Sequence, residues 1–282
     1  MATPFSIGDG PSDSAGASRQ GRPCPLVVGI VNVTADSFSD GGRYLEAARA
    51  IEHGLRLRDE GAAIVDVGGE STRPGAAPVD AAEEMRRVIP VVEGLGREGV
   101  AVSVDTMKPE VMRAAIDAGA AVVNDVNAFR APGAVEVVAQ SSVGLVVMHM
   151  QGTPATMQAE PRYDDVVAEV AAFLLDRARV LETAGVARAR IVLDPGFGFG
   201  KSLEHNRTLF RGLAAIVKLG YPVLVGVSRK RMIGTFTGRD VGERVAGSVA
   251  AALLAVQNGA SLVRVHDVRE TIDALKVWME LK

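Results

Sequence analysis

Eight short apolar runs rich in β-branched residues recur along this chain, and almost every one ends on a polar or charged residue. They are LVVGIVN ending at Asn32, AAIVDV around Asp66, VAVSVD ending at Asp105, and AAVVND through Asn124 and Asp125. GLVVMH then ends at His149, RIVLD at Asp194, YPVLVGVS at Ser228 and SLVRVH at His266. A parallel strand covered by helices on both faces reads as a near-continuous run of Val, Ile and Leu. One polar exit carries little information. Repeated along the chain, such exits imply strands that aim their carboxyl ends at one shared, wet, reactive face.

Helical patterns fill the intervals. Leu45–Asp59 sets Leu45, Ala48, Ile51 and Leu55 on one face and stops at Gly61. Val79–Gly96 opens with Asp80 as N-cap and Glu83 as its capping-box partner. Lys108–Asp117 carries Pro109 in its first turn and ends at Gly119. Asp164–Ala184, Leu203–Leu219, Val241–Gln257 and Val268–Leu281 complete the set. Strands alternating with helices predict βαβ units and a parallel sheet. The α/β fold expected is a single (β/α)8 TIM barrel over residues 26–282, with an open doubly wound sheet as the alternative. A chain of 282 residues, 48% hydrophobic, can bury that much core. Residues 1–25 are mixed Gly, Ser, Pro and Ala, and read as a flexible N-terminal tail.

Charge and cysteine content narrow the partners. A net charge of -3 leaves no basic footprint for nucleic acid, and no apolar stretch is long enough to span a bilayer. Cys24 stands alone, so no internal disulfide can form, and no secretory signal is visible at the N-terminus. A reducing, cytoplasmic setting is expected.

In such a barrel the chemistry belongs to the loops that follow the strands. The first, NVTADSFSDGG from Asn32 to Gly42, is dense in oxygen ligands and fits a lid over a substrate and a magnesium ion. The second, GGESTRPG from Gly68 to Gly75, combines glycines that permit close backbone approach with an Arg fork for an anion. DPGFGFGK, from Asp194 to Lys201, looks like a phosphate loop but has the spacing of neither a Walker A motif nor a dinucleotide fingerprint. What remains there is Asp194, a carboxylate able to accept from the amidine-like edge of a flat heterocycle. Phe197 and Phe199 either wall that site or pack the core. Loop seven supplies Ser228, Arg229, Lys230 and Arg231, and loop eight Arg264 and His266. Barrels commonly hold phosphate at these two loops. His149 and His266 lack zinc-ligand spacing.

Taken together, GIVNVTADSFSDGG, IVDVGGESTRPGA, SVDT, VND, MHMQGTPATMQ, DPGFGFGKSLEHN, VGVSRKRMIG and VRVHDVRET resemble the dihydropteroate synthases from about Leu26 to the C-terminus, in both order and spacing. Ala35 stands where that family typically has Pro. The resemblance implies condensation of 4-aminobenzoate with 6-hydroxymethyl-7,8-dihydropterin diphosphate, by magnesium-assisted early loss of pyrophosphate. It implies a pterin pocket of Asp105, Asn124, Asp194 and Lys230, and diphosphate contacts from Asn32, Thr72, Arg264 and His266. Asn32 would meet Mg2+, and Thr72, Arg73, Pro74, Phe199 and Ser228 would surround the aminobenzoate. Asp105, Lys230, Arg264 and His266 would carry the catalytic step. A homodimer and competition by sulfonamides are expected on the same basis. Two other readings remain: a methyltetrahydrofolate methyltransferase-type pterin domain, and a non-catalytic pterin-binding paralogue.

Overall fold

The computed structural model describes residues 24–33, 42–72 and 77–282, with the side chains of 42–45 excepted. The expected tail up to residue 23, the first-loop segment 34–41 with Ala35, and Arg73 and Pro74 of the second loop lie outside the described residues.

Eight parallel strands form one sheet: β1 (Leu26–Asn32), β2 (Ile64–Gly68), β3 (Val102–Asp105), β4 (Val122–Asp125), β5 (Gly144–Met148), β6 (Ile191–Asp194), β7 (Leu224–Val225) and β8 (Leu262–Val265). Each pairs with its neighbour in sequence, and β8 returns to β1 through Leu26↔Leu262 to Gly29↔Val265. The seam between β6 and β7 closes on a single bridge, Leu193↔Val223, with Leu193 N–H donating to the Pro222 carbonyl at 2.9 Å. The sheet is therefore a barrel, and the open doubly wound alternative does not apply. The run YPVLVGVS forms only a two-residue strand, because Gly226 and the residues after it already turn into loop seven.

Side chains alternate across each strand. Val27, Val65, Val104, Val123, Leu193 and Val263 point outward into the layer beneath the helices. Val28, Ile64, Val122, Val146, Val192, Leu224 and Leu262 point inward and fill the amino end of the barrel. Each such side chain stabilises the fold by ~1.5–3 kcal/mol when fully buried.

The outer ring is α1 (Gly42–Asp59), α2 (Ala81–Arg97), α3 (Pro109–Asp117), α4 (Ala134–Ala139), α5 (Val166–Thr183), α6 (Leu203–Arg211), α7 (Leu213–Val217), α8 (Arg231–Thr237), α9 (Val245–Gln257) and α10 (Val268–Leu281). Asp80 caps α2 by accepting from Glu83 N–H at 2.7 Å, but the Glu83 carboxylate does not complete the capping box. It turns to Arg86 and Arg87, at 2.6 and 3.0 Å, where opposite charge outcompetes an amide. The helix expected over Leu203–Leu219 is two helices meeting at Gly212. A Cβ at 212 would lie 2.7 Å from Val167 Cγ2, so α5 is packed tightly against that junction. The helix expected from Val241 begins at Val245, after a single tight turn over Val241–Glu243. The short α4 and α8 were not predicted. Among the described residues no helix is long and apolar enough to cross a membrane.

Candidate active site

On β2, β4, β6 and β8 the interior face changes from aliphatic to polar towards the carboxyl end, whereas β5 ends on inward Met148. On β2 the inward positions are Ile64, Asp66 and Gly68, and on β8 they are Leu262 and Arg264, followed by His266. Strand register then sets Asn32, Gly68, Asp105 and Asn124 in one row across β1 to β4, while Asp194 on β6 is level with Met148 on β5.

A buried polar layer lies directly above the aliphatic one. Arg264 donates through Nε to Asp66 Oδ2 at 2.6 Å and through Nη2 to Asp105 Oδ2 at 3.1 Å. Asn124 Nδ2 donates to the same Asp66 oxygen at 3.2 Å. The second oxygen of Asp66 and the amide oxygen of Asn124 are buried without a protein partner. Such acceptors are costly to leave unmet, so they mark a place where a ligand or water donates. A small cavity lies between the two layers, its floor aliphatic (Val28, Ile64, Val122 and their neighbours) and its roof formed by Asp66, Ser103, Asn124 and Arg264.

Around the mouth, Asp194 Oδ1 accepts from Gly196 N–H at 2.7 Å. Lys230 Nζ donates to the Phe197 carbonyl and stands 4.7 Å from the centroid of the Phe199 ring. Phe197 itself is fully buried and packs on Phe210 at 5.5 Å between ring centroids, so it belongs to the core, whereas half-buried Phe199 belongs to the site. Ser228 Oγ accepts from His266 N–H at 3.2 Å and lies 3.0 Å from His266 Nδ1. Between Ser228 and Lys230, Arg229 adopts a left-handed backbone with φ 56°. Its side chain is ion-paired with Asp267, its N–H donates to Ser248 Oγ at 2.9 Å, and its carbonyl accepts from Arg244 at 3.0 Å. These bonds tie loop seven to loop eight and offset the strain.

The electrostatics follow from burial and pairing. Burial pushes the Asp105 carboxyl well above the usual carboxylate range, opposed by Arg264 and reinforced by Asp66. Burial raises Asp194 too, against Lys230 and the Gly196 N–H, which favour its charged form. Burial pulls Lys230 down to about 8, with Asp194 opposing and Arg264 adding to the shift. For Arg264 burial disfavours the charge, but Asp66 and Asp105 outweigh it and hold the guanidinium firmly cationic. The arrangement can grip the polar edge of a flat ring and hold a fixed positive charge beside it.

Of the residues expected from sequence, Asp105, Asn124, Asp194, Lys230 and Arg264 converge on one cluster, with Ser228 and His266 paired on the adjoining loops. Asn32 is exposed at the end of β1, and Thr72 is half-buried in the described part of the second loop. Asp66 was missed as a site residue, though a lone acid within IVDVG was the available signal. Lys201, buried against His149 at 2.9 Å, was missed as well. Among the described residues no three His, Cys, Asp or Glu side chains gather as a metal cage.

The chain is similar to known proteins over most of its length. The profile of the family described as pterin binding enzyme matches residues 28–266. The dihydropteroate synthase of Escherichia coli (strain K12) is 49% identical over 254 residues, covering 90% of this chain and 90% of the relative. The structure of Xanthomonas albilineans dihydropteroate synthase with 4-aminobenzoic acid has a TM-score of 0.86 at 56% identity, covering 91% of this chain and 93% of that one. The structure from the same organism in complex with 7,8-dihydropteroate has a TM-score of 0.83 at 53% identity, with the same coverage of each chain, 91% and 93%.

Proposed function

The chain belongs to the pterin-binding enzymes, among the dihydropteroate synthases, and from that premise we propose that it condenses 4-aminobenzoate with 6-hydroxymethyl-7,8-dihydropterin diphosphate. The products are 7,8-dihydropteroate and pyrophosphate. The observation that carries this reading is the part-buried Asp66–Arg264–Asp105 cluster beside Asp194 and Lys230, at the carboxyl end of the barrel.

In this reading Asp194 and Asn124 accept from the amino group and ring nitrogen of the pterin, and Lys230 donates to its carbonyl. Arg264 and His266 receive the diphosphate. The aromatic amine is a weak nucleophile, so the bond between the exocyclic carbon and the diphosphate oxygen breaks early. Its electron pair leaves with pyrophosphate, and the positive charge spreads onto the electron-rich ring. In this reading Asp105, in its ionised form, favours that cation, and Arg264 favours the leaving group. The amine nitrogen then bonds to the exocyclic carbon and sheds a proton. Thr72, Arg73, Pro74, Phe199 and Ser228 are the proposed surroundings of the aminobenzoate.

Asn32 offers a single neutral oxygen at the mouth, and no acidic cage accompanies it among the described residues. That donor set suits a Mg2+ ion that arrives on the diphosphate and keeps several waters. Bound there, it would neutralise charge growing on the departing pyrophosphate.

A pyrophosphate-release assay with both substrates and magnesium tests the proposal. Release that depends on 4-aminobenzoate is expected, together with competition by a sulfonamide against 4-aminobenzoate alone. Pterin binding without release would indicate a non-catalytic paralogue. Methyl transfer from a folate would indicate a methyltransferase-type domain. We further place the reaction in the cytoplasm and the chain in a homodimer. Phe236, Leu254, Val277 and Leu281 are exposed on α8, α9 and α10, and a second copy that covered some of them would bury apolar surface; sedimentation equilibrium measures the state directly.

A further inference from the structure

The loop between β6 and α6 makes few backbone hydrogen bonds of its own. Phe199 N–H donates to the Gly196 carbonyl at 3.1 Å, and the other loop carbonyls turn to side chains. Lys230 takes that of Phe197, Gln158 that of Gly198 at 2.6 Å, and Tyr163 that of Gly200 at 2.7 Å. Lys201 lies inside the curl, behind the site, and is buried. Its Nζ donates to the Gly196 carbonyl at 2.9 Å and the Phe199 carbonyl at 3.0 Å, and lies 2.9 Å from His149 Nδ1. An ammonium has three protons, matched to these three nearest acceptors, with the His149 carbonyl farther off at 3.4 Å. His149 must be neutral to accept, and burial does push its imidazole down to about 3, helped by Lys201 itself.

Burying an ammonium is unfavourable, and a position that needed only packing would be better served by an apolar side chain. Burial pulls Lys201 down to about 7, with Asp194 opposing the shift and Lys230 reinforcing it. A charge kept at such cost below about pH 7 needs a role. We propose that Lys201 is a positioning residue of the pterin site, whose ammonium gathers the Gly196 and Phe199 carbonyls and so fixes how Asp194 and Phe199 face the mouth.

The linkage runs through single bonds. Gly196, held by Lys201 through its carbonyl, uses the N–H of its preceding peptide to orient Asp194 Oδ1 at 2.7 Å, the two peptide planes being joined at the Gly196 Cα. Phe199, held by its carbonyl, presents its ring to Lys230 at 4.7 Å. The loop has little slack, since a Cβ at Gly196 would lie 1.9 Å from the His149 carbonyl. With the ammonium removed, the Phe199 carbonyl faces the interior without a donor and the Gly196 carbonyl keeps only the Phe199 N–H, so the loop must shift to hydrate them.

This inference rests on the pterin reading of the site, and its test separates the two. Binding of 6-hydroxymethylpterin is followed by fluorescence and binding of inorganic pyrophosphate by calorimetry, in the wild type, Lys201→Met and Lys201→Ala. Met keeps the length of the side chain but no donor. The expected result is a cooperatively folded Lys201→Met that binds pyrophosphate as the wild type does. Its pterin affinity falls about 10- to 100-fold, the range typical for residues that orient a binding shell from behind. Propylammonium supplies the atoms missing from Lys201→Ala and should restore pterin binding. Unchanged pterin affinity in Lys201→Met, an equal loss for both ligands, or no rescue by propylammonium would overturn the inference. A wild type that binds no pterin would remove the functional reading itself, and the inference with it.

Discussion

Asp66 and Arg264 are 198 positions apart in the chain, yet their side chains meet at 2.6 Å inside the barrel. Removing one partner from a buried pair leaves the other charge without compensation, which typically costs ~3–5 kcal/mol. Asp66→Ala should therefore lower stability by about 3 kcal/mol, because Arg264 keeps Asp105, and urea unfolding would measure it. Asp66→Asn should fold better but bind the diphosphate substrate less well than the wild type. A second prediction concerns pH. Burial holds Lys230 at about 8, below its usual value, and its ammonium donates to the pterin carbonyl more strongly than the neutral amine would. Pterin affinity should fall as pH rises from about 7 to about 8, where first Lys201 and then Lys230 lose their protons, and Lys230→Met should lose the upper limb while keeping the lower one in a fluorescence titration. Strand-end polar residues such as Asp105, Asn124 and Asp194 were legible because period-two alternation and the barrel's polarity together imply where they point. Asp66 was less so, since its partner lies on a strand that only closure brings near.

At the scale of elements, the strands and the long helices follow from pattern, and their caps from local chemistry. The breaks were harder to read, because tertiary contact places them. Gly212 divides α6 from α7 where α5 presses on it, and no local signal in LFRGLAAI distinguishes that from an unbroken helix. Gly212→Ala should cost ~1–3 kcal/mol by overpacking against Val167, visible as a lowered Tm with pterin binding intact. Gly196→Ala should behave in the opposite sense. Its φ is 67°, and a Cβ there would meet the His149 carbonyl, so the loop must move and pterin affinity should collapse. Comparing the two variants by melt and by titration separates a packing glycine from a site glycine. α4 and α8 escaped the sequence reading because helices of six and seven residues hold too few turns for a periodic face to emerge.

For the whole molecule, the barrel begins where Leu26 N–H meets the Ser261 carbonyl at 2.9 Å. Removal of residues 1–23 should accordingly leave turnover unchanged in the pyrophosphate assay, and a large loss would assign that segment a role in the site. Fold class was the most legible property, since the repeated βα alternation has few closed solutions. Assembly and ligand order were not, because they depend on surfaces that only the folded chain creates. The aliphatic plug formed by Val28, Ile64, Val122 and their neighbours has its own implication. It makes the molecule a cup without a drain, so traffic uses one rim, and whatever lies deepest must arrive first and depart last. The flat ring system would then board ahead of the amine, which docks above it and bars the way out until the two have become one molecule.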